Sequence, residues 1–407
     1  MTDSIIVSNV SDASFAIGVA YGKQQTMDIQ DIVSLKSFAN SEFCPRFLLD
    51  NQTEDMIGHS LEGKSVYIIS TTSPHHSRNE LAMRNCLVAS AAKENGADVV
   101  TLIEPDLFYS AQDRGPRTKD HPQITSFESR KKFIGQPWSA KLYARLLHQS
   151  GVDRVLSVHN HKPKVIADIY KEVFQQKQTE KPCFINLDIA HIVANYILRS
   201  GLARVEGGGS NVGFVAPDSG AVEFVSRVRD FTGLKNSVLV NVEKTRHGQR
   251  NVELNISDDV ELLQGRDVFI LDDMVRTGGT IAASVKLLAE NEKSRPANIF
   301  FYCTHTYISA EGRENLNSPY LNQFITTNTI PSILNRDDQG RLRKKTVVLK
   351  LERWIANAII QCLEHQHDPE VFYGKSSVSL AGNWYEVDIS SKNLQRFNTR
   401  FVQYALV

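Results

Sequence analysis

The stretch from Asp267 to Thr280 combines residue types suited to binding a phosphorylated sugar. The adjacent carboxylates of Asp272 and Asp273 follow a short apolar run, and carboxylate oxygens bind both sugar hydroxyls and Mg²⁺. A turn with two hydroxyls and two glycines comes next, formed by Thr277, Gly278, Gly279 and Thr280. Glycines let the backbone approach a phosphate, and the N–H groups of a helix start favour an anion. Each part occurs alone in ordinary loops, but this order predicts a sugar-phosphate site.

Three further segments have side chains that could bind a nucleotide or a metal. Lys244 and Arg246 follow an apolar run, and a strand continuing through them would place both on one side. His161, with His159, ends another apolar run, although such a pair is more often structural or exposed than a ligand. The loop from Phe38 to Glu42 offers an aromatic face with amide and carboxylate acceptors, which suit a purine base. An exposed turn is the simpler interpretation of that loop.

Short apolar runs alternate with helical patterns along the chain, which predicts parallel α/β sheets. The run before Asp272 is apolar throughout, as in a strand buried on both faces. The predicted strands are 66–70, 99–103, 154–158, 184–186, 211–216, 237–242, 268–271, 299–303, 324–326 and 346–349. The predicted helices are 80–95, 137–149, 188–200 (with Asp188 as N-cap), 221–231, 281–290 and 351–364. We expect one or two strands between Ile5 and Tyr21, and two more at 384–389 and 400–404.

Each half of the chain has a comparable run of strands and helices. We therefore expect an N-terminal domain over 1–185, a C-terminal domain over 186–373 and an extra tail over 374–407. The stretch from Arg114 to Gln136 is long, basic and poor in strand or helix signals. Loops of this length are often lids or binding loops, and a solvated loop is the equal alternative.

Composition restricts the class of protein. The 407 residues contain 46 Lys and Arg against 46 Asp and Glu, so no general charge drives the chain toward nucleic acid or an anionic membrane. The five scattered cysteines have no metal-like spacing and fit reduced thiols. The N-terminus lacks a basic-then-apolar segment, and no apolar run approaches membrane-spanning length. These features predict a protein of the cytoplasm that binds neither nucleic acid nor membrane.

The motifs together resemble the ribose-phosphate diphosphokinase (phosphoribosyl diphosphate synthetase) family from about Phe38 to Phe372. The resemblance rests on several separated segments besides the central one. These segments are Phe38-Ala39-Asn40-Ser41-Glu42, Gln112-Asp113, Pro137 with Ser139-Ala140-Lys141, His161, Pro217-Asp218-Ser219-Gly220, and Lys244 with Arg246. The resemblance implies two type I phosphoribosyltransferase-like domains, each a mainly parallel sheet flanked by helices.

The resemblance also implies an activity, namely transfer of the diphosphoryl group of ATP to O1 of ribose 5-phosphate with Mg²⁺. It assigns catalysis to Lys244 and Arg246. The remaining assignments are ribose 5-phosphate to Asp272, Asp273 and the turn from Thr277 to Thr280, ATP to Phe38, Asn40, Glu42, Gln112 and Asp113, and metal to His161 and Asp218. A homo-oligomer, hexameric or based on dimers, that shares the adenine site between subunits is a further implication.

The chain departs from the family pattern at several positions. Ala111 and His159 stand where the family has Arg and Asp, Arg276 replaces a common acidic residue, and Ala221 replaces a glycine. These departures leave open a regulatory homologue without activity. The central motif alone would also allow a phosphoribosyltransferase, although Phe38–Glu42 and the Lys244/Arg246 pair argue against it.

Overall fold

The computed structural model describes residues 3–49, 58–115, 126–131, 133–176, 181–203, 205–247, 251–256, 258–307, 309–365, 367, 372 and 378–390. The side chains of residues 129, 243–247, 251–256 and 258 are outside this description. The described residues form two compact units. One consists of those within Met1–Leu187 and Ile359–Gln366, and the other of those within Asp188–Ala358 and His367–Val407.

The first unit is built on a parallel sheet. Its strands are β1 (Asp3–Ser8), β2 (Val33–Ser37), β3 (Phe43–Phe47), β4 (Lys64–Ile69), β5 (Val99–Ile103), β6 (Arg154–Val158) and β7 (Phe184–Leu187). The parallel sheet has the order β1-β4-β5-β6-β7, while β2 and β3 form a separate antiparallel hairpin. The helices are α1 (Ser14–Gly22), α2 (Ile29–Ile32), α3 (Arg78–Glu94), α4 (Phe127–Lys131), α5 (Ser139–Gln149) and α6 (Pro163–Val173).

The second unit contains a larger, mainly parallel sheet in the order β10-β9-β8-β11-β12-β13-β14-β15. Its strands are β8 (Val212–Ala216), β9 (Val238–His247), β10 (Asn251–Ile256), β11 (Asp267–Val275), β12 (Asn298–Thr306), β13 (Gln323–Thr327), β14 (Thr346–Lys350) and β15 (Glu386–Ile389). The helices are α7 (Ala190–Arg199), α8 (Val222–Thr232), α9 (Gly279–Glu290), α10 (Ala310–Leu316) and α11 (Glu352–Ala358). Antiparallel strands β10 and β15 lie at the two edges of this sheet.

The strands that carry the predicted site are buried on both faces. Val268, Phe269, Ile270 and Leu271 of β11 are fully buried, and the ring of Phe269 stacks on Phe214 of β8. An unbroken apolar run is therefore explained by helices covering both sides of a central parallel strand. The α/β fold predicted from the sequence is confirmed.

Several local predictions need correction. The stretch from Ile5 to Tyr21 forms strand β1 and then helix α1, because Phe15, Ala16, Val19 and Ala20 are buried at helical rather than alternating spacing. Helix α7 starts at Ala190, so Asp188 is not its N-cap residue, although its Oδ1 accepts a hydrogen bond from the Ala190 N–H at 2.8 Å. The predicted helix 351–364 is α11 followed by a π-helix at Ile359–Glu364.

The predicted loop and tail are partly described. Helix α4 lies within the stretch 114–136, of which 116–125 and 132 are outside the described residues. The tail supplies β15, which pairs with β14, whereas the predicted strand at 400–404 is outside the described residues. Among the described residues, no helix is both long and apolar enough to cross a bilayer.

Candidate functional site

The carboxyl ends of β8 and β11 bring two predicted acidic segments together in the second unit. These strands are parallel neighbours, with Val215 opposite Ile270. Asp218 follows the end of β8 by two residues, and Asp272 lies two residues beyond Ile270. Side chains at the carboxyl ends of adjacent parallel strands line one crevice, which is where open α/β sheets bind ligands.

The pKa of Asp272 is strongly shifted in this crevice. Its carboxyl is half-buried, and Oδ1 accepts a hydrogen bond from the Asp273 N–H at 2.9 Å. The pKa of Asp272 is raised well above the usual aspartate value, first by burial and then by the negative charges of Asp273 and Asp218. Such mutual repulsion among three carboxylates is relieved by a bound cation or by hydroxyl donors.

The turn after β11 is shaped by a glycine at the start of α9. Gly278 is the N-cap of that helix and has φ of +67°, a left-handed conformation that favours glycine. The amide Nδ2 of Asn315 donates to the Thr277 carbonyl oxygen at 2.7 Å, which fixes the turn from the side of α10. Helix α9 has twelve residues, so its dipole and the free backbone N–H groups of its first turn favour an anion at its N-terminus.

Strand β9 carries Lys244 and Arg246. It pairs with β8 as far as Asn241, opposite Ala216, and then continues to His247 against β10. The backbone of Lys244 and Arg246 therefore lies beyond the carboxyl end of β8, the end from which Asp218 follows. The strand predicted over 237–242 is therefore longer than expected and continues through both residues, whose side chains are outside the description.

The predicted adenine-binding residues form the tip of the β2–β3 hairpin in the first unit. Phe38 is 54% exposed, and Asn40 and Glu42 are also exposed. The Ser41 N–H donates to the Phe38 carbonyl at 2.9 Å, and the Glu42 N–H donates to Asn40 Oδ1 at 3.2 Å. The tip is thus an ordered turn that presents an aromatic ring to its surroundings.

Arg84 of α3 attaches this hairpin to the body of the first unit. Its guanidinium lies 4.2 Å from the centre of the Phe43 ring and donates to the Asn9 carbonyl at 3.2 Å. The same group lies 3.4 Å from Ser37 Oγ on the neighbouring strand. Arg84 is only 6% exposed, so these contacts hold both hairpin strands against α3.

The other predicted ATP residues follow β5. Gln112 is exposed, and its carbonyl accepts a hydrogen bond from Ala140 at the start of α5 at 3.3 Å. Asp113 is buried, with Lys162 Nζ at 3.6 Å and Arg114 Nε at 3.9 Å. Two cationic side chains therefore lie near the buried carboxylate, next to the exposed Gln112.

His161 is exposed between β6 and α6, in the first unit, whereas Asp218 belongs to the second. In the described part of the chain, no group of three or more His, Cys, Asp and Glu side chains has the arrangement of a metal site. Assignment of metal to these two residues stays a prediction.

Two structural supports of the site were not foreseen from the sequence. Arg84 had a weak signal, a cation among the otherwise apolar and small residues of the buried face of α3. Asn315 had no signal, because its contact with Thr277 spans 38 positions in the chain.

Comparisons with known proteins agree with this arrangement. A model of the N-terminal domain of ribose phosphate pyrophosphokinase matches residues 30–151, and a model of the phosphoribosyl transferase domain matches residues 186–315. The chain belongs to the ribose-phosphate pyrophosphokinase family. As members of that family do, it has two phosphoribosyltransferase-like domains, as the sequence predicted.

Individual relatives are distant but cover most of the chain. A ribose-phosphate pyrophosphokinase of Marinomonas sp. is 28% identical over 76% of this chain and 85% of its own. One of Corynebacterium glutamicum is 27% identical over 84% of this chain and 89% of its own. The crystal structure of phosphoribosylpyrophosphate synthetase from Mycobacterium smegmatis shares the fold, with a TM-score of 0.66 and 22% identity over 89% of this chain and 99% of that one. Family membership makes this chain an enzyme of the ribose-phosphate pyrophosphokinase type.

Proposed function

We propose that the protein transfers the diphosphoryl group of ATP to O1 of ribose 5-phosphate, giving phosphoribosyl diphosphate and AMP. The observation that carries this proposal is the crevice of the second unit. There, Asp218 follows β8, whereas strand β11 continues through Asp272 and Asp273, which were expected to follow its end, and these two residues lie just beyond its pairing with β8. A helix that starts at a glycine turn comes after β11. Hydroxyl-binding carboxylates beside an anion-favouring helix end match a sugar phosphate.

Within this crevice, we assign the 5-phosphate to the turn of Thr277, Gly278, Gly279 and Thr280. The hydroxyls of the ribose would be held by Asp272 and Asp273. In the reaction, O1 of ribose forms a bond to the β-phosphorus, and the bond from that phosphorus to the α-phosphate oxygen breaks, releasing AMP. Such transfers depend on positioning and charge neutralisation more than on covalent catalysis. Lys244 and Arg246 are assigned to the charge that develops on the transferring group.

The donor set of the crevice fits Mg²⁺. Carboxylate oxygens are its preferred protein ligands. Burial and then the negative charges of Asp273 and Asp218 raise the pKa of Asp272, and a divalent cation would balance those charges. One or two of the carboxylates of Asp218, Asp272 and Asp273, together with phosphate oxygens of the substrates, would hold this ion, because the three do not by themselves form a metal site. His161 is a further candidate for metal bound with the nucleotide. When bound, Mg²⁺ would neutralise part of the phosphate charge.

For ATP, we assign the base to Phe38, Asn40 and Glu42, and the remaining contacts to Gln112 and Asp113. The exposure of Phe38 at an ordered hairpin tip supports a role in stacking on a base. We further propose that this tip completes the site of a second copy of the chain. Activity should then fall on dilution, and Phe38→Ala should raise the ATP concentration required with little effect on ribose 5-phosphate. Full specific activity of a dilute monomer would contradict the shared site.

The decisive experiment measures AMP release from ATP, Mg²⁺ and ribose 5-phosphate by the purified protein and by Lys244→Ala and Arg246→Ala. Loss of one preorganised donor typically lowers the rate about a hundred- to a thousandfold, so kcat and kcat/KM should fall together. Calorimetric titration of ATP controls for folding and nucleotide binding. The control variant Lys235→Ala alters an exposed lysine on the same unit.

Three outcomes would contradict the proposal in different ways. If Lys244→Ala released AMP at the wild-type rate, the assigned mechanism would be wrong. Release of diphosphate from phosphoribosyl diphosphate and a free base would instead indicate a phosphoribosyltransferase. Absence of turnover with any nucleotide would indicate the regulatory homologue that Ala111 and His159 leave open.

A further inference from the structure

Glu104 is the residue whose surroundings fit its charged state least. It follows β5 directly and is fully buried in the first unit. Within the described residues its carboxyl has neutral hydrogen-bond partners. These are Ser70 Oγ at 3.0 Å, Asn85 Nδ2 at 3.0 Å, Tyr143 Oη at 3.2 Å and the Phe108 N–H at 2.8 Å.

Complete burial, and not these hydrogen bonds, favours the neutral acid, because the donors from Phe108 and Ser70 stabilise the charged form and burial outweighs them. An ionised carboxyl without a cationic partner is very costly in a buried site, and the group then keeps its proton. Oε2 accepts from the Phe108 N–H, while Oε1 accepts from the hydroxyls of Ser70 and Tyr143. Burial accordingly raises the pKa of Glu104 to about 8.

Several ionisable groups lie around Glu104, and no residue in the described part of the chain forms an ion pair with it. Arg78 pairs with Asp106, which also repels a negative charge on Glu104. The remaining neighbours are neutral acids at physiological pH. They are Tyr109 after β5, Cys86 of α3, Tyr143 of α5 and Tyr170 of α6.

The segment that Glu104 holds leads directly to Gln112 and Asp113. Tyr109 has φ of +61°, which is strained for a bulky residue, and such strain persists only where neighbours impose it. Three contacts hold Tyr109 in this conformation. The Phe108 N–H is fixed by Glu104, the Tyr109 ring lies 5.3 Å from that of Tyr143, and Tyr109 Oη donates to Asn79 Oδ1 at 2.6 Å. The Gln112 N–H then donates to the Tyr109 carbonyl at 2.9 Å.

We infer that Glu104, as a neutral acid, is the positioning residue that holds the strained turn Phe108–Gln112 in the shape that presents Gln112 and Asp113 to the nucleotide. Loss of its proton leaves a buried charge, which is relieved when the turn opens and water reaches the carboxyl. The turn is therefore closed most firmly at low pH. This inference rests on the proposed function only for the identity of the ligand, a nucleotide.

Amide hydrogen exchange without nucleotide tests the inference, with rates corrected for the intrinsic effect of pH. The closed turn binds one more proton than the open turn between the ordinary Glu pKa and about 8. Protection of the Phe108 and Gln112 amides should thus fall as pH rises from 5 to 8, by up to about tenfold per pH unit, and level off above. In Glu104→Gln, a neutral donor and acceptor, protection should stay high and independent of pH.

Glu104→Leu, which keeps the bulk but leaves the Phe108 N–H without its acceptor, should lose protection at every pH by roughly fivefold or more. Glu94→Gln, at an exposed glutamate that bonds Ser90, is the matched control and should behave as wild type. Flat protection in the wild type would overturn the inference. So would the same pH dependence in wild type and Glu104→Gln, a comparison that stands even if Glu104→Leu fails to fold.

Calorimetric ATP titration of the same proteins separates this inference from the proposed function. If both hold, Glu104→Leu binds ATP more weakly while Glu104→Gln binds as wild type. If the turn responds to Glu104 but ATP binds to none of the proteins, the positioning role stands and the proposed function fails.

Discussion

Burial raises the pKa of both Asp272 and Glu104, but with different consequences. Asp272 lies in a crevice with Asp273 and Asp218, so neighbouring negative charge adds to the effect of burial. Glu104 is enclosed by neutral hydrogen-bonding groups. A pKa raised by burial together with like charges in a cleft is typical of a ligand site, whereas one raised mainly by burial belongs to an acid that keeps its proton until the pH approaches the raised value.

Asp272→Asn should make the unliganded protein more stable but should weaken the binding of its ligands. The substitution removes one of three repelling carboxyls, so the melting temperature without ligand should rise or stay unchanged. The proposed contacts of Asp272 with the ribose hydroxyls would already exist in the ground state, so the KM for ribose 5-phosphate should rise about tenfold or more, with a smaller effect on kcat. Differential scanning fluorimetry and steady-state kinetics measure the two effects.

The same residue should give metal binding a pH dependence. A cation needs the ionised carboxyl, and the pKa of Asp272 is raised, so Mg²⁺ affinity should fall as pH decreases through that raised value. Calorimetric titration across pH, comparing wild type with Asp272→Asn, should show the dependence only in the wild type. Asp259→Asn, at an exposed aspartate of the same unit, is the control. Equal slopes in all three proteins would place the titrating group elsewhere.

At the scale of elements, the two glycines of the turn into α9 differ in what opposes their substitution. A Cβ on Gly278 would lie 3.4 Å from Leu316, an ordinary contact, so only its left-handed backbone opposes substitution. Gly279 has no left-handed backbone, and a Cβ there would lie 3.8 Å from Asn315.

Gly278→Ala should therefore destabilise the unliganded protein by about 1–2 kcal/mol. Gly279→Ala should leave stability unchanged or raise it by up to about 1 kcal/mol, because alanine favours a helix. If the 5-phosphate contacts the backbone here, Gly279→Ala should still weaken ribose 5-phosphate binding. Denaturant unfolding and ligand titration of both variants measure this. Unchanged ligand binding in Gly279→Ala would move the phosphate away from this turn.

The β2–β3 hairpin is a second element whose position depends on one side chain. Arg84→Lys keeps the charge but loses the stacking on Phe43, which is worth about 0.5–2 kcal/mol. Expressed as a change in affinity, this energy corresponds to a rise of about 2- to 30-fold in the KM for ATP. The KM for ribose 5-phosphate should stay constant. Arg145→Lys, on the exposed side of α5, serves as control. An equal rise in both KM values would mean that Arg84 supports the fold in general.

At the scale of the whole molecule, buried ionisable groups couple stability to pH in opposite directions. His191 of α7 is completely buried, with its ring near those of Trp354, Phe372 and Trp384 in the second unit. Burial lowers the pKa of His191 to about 3. The C-terminal segment thus covers a histidine that must remain neutral for the protein to fold.

His191→Phe should remove part of the acid sensitivity. Between pH 6.5 and about 3, the unfolded chain protonates His191 while the folded protein does not, so stability falls as pH decreases. This group contributes up to about 1.4 kcal/mol per pH unit, and the variant should lack that slope. Chemical denaturation at pH 7, 6, 5 and 4 measures it, with His75→Phe at an exposed site as control. Parallel curves for wild type and His191→Phe would show that the ring can be protonated in the folded state.

The sequence by itself determined the features that depend on neighbouring residues. The apolar run, acidic pair and Gly/Thr turn of residues 267–280 predicted a strand, a turn and a helix, because periodicity and glycine conformation are local properties. The same locality explains why β5, β6 and α5 were predicted so closely, and why the α/β fold followed from their alternation.

The tertiary structure decided which of these pieces are neighbours and in what state they are charged. Only the strand order places Asp218 beside Asp272, and only the contacts of α3 show that Arg84 anchors a hairpin. Glu104 looked like one more polar residue at a strand end, yet its complete burial in the folded unit favours a neutral acid. Burial and partner charge set a pKa, and both depend on residues tens of positions away in the chain.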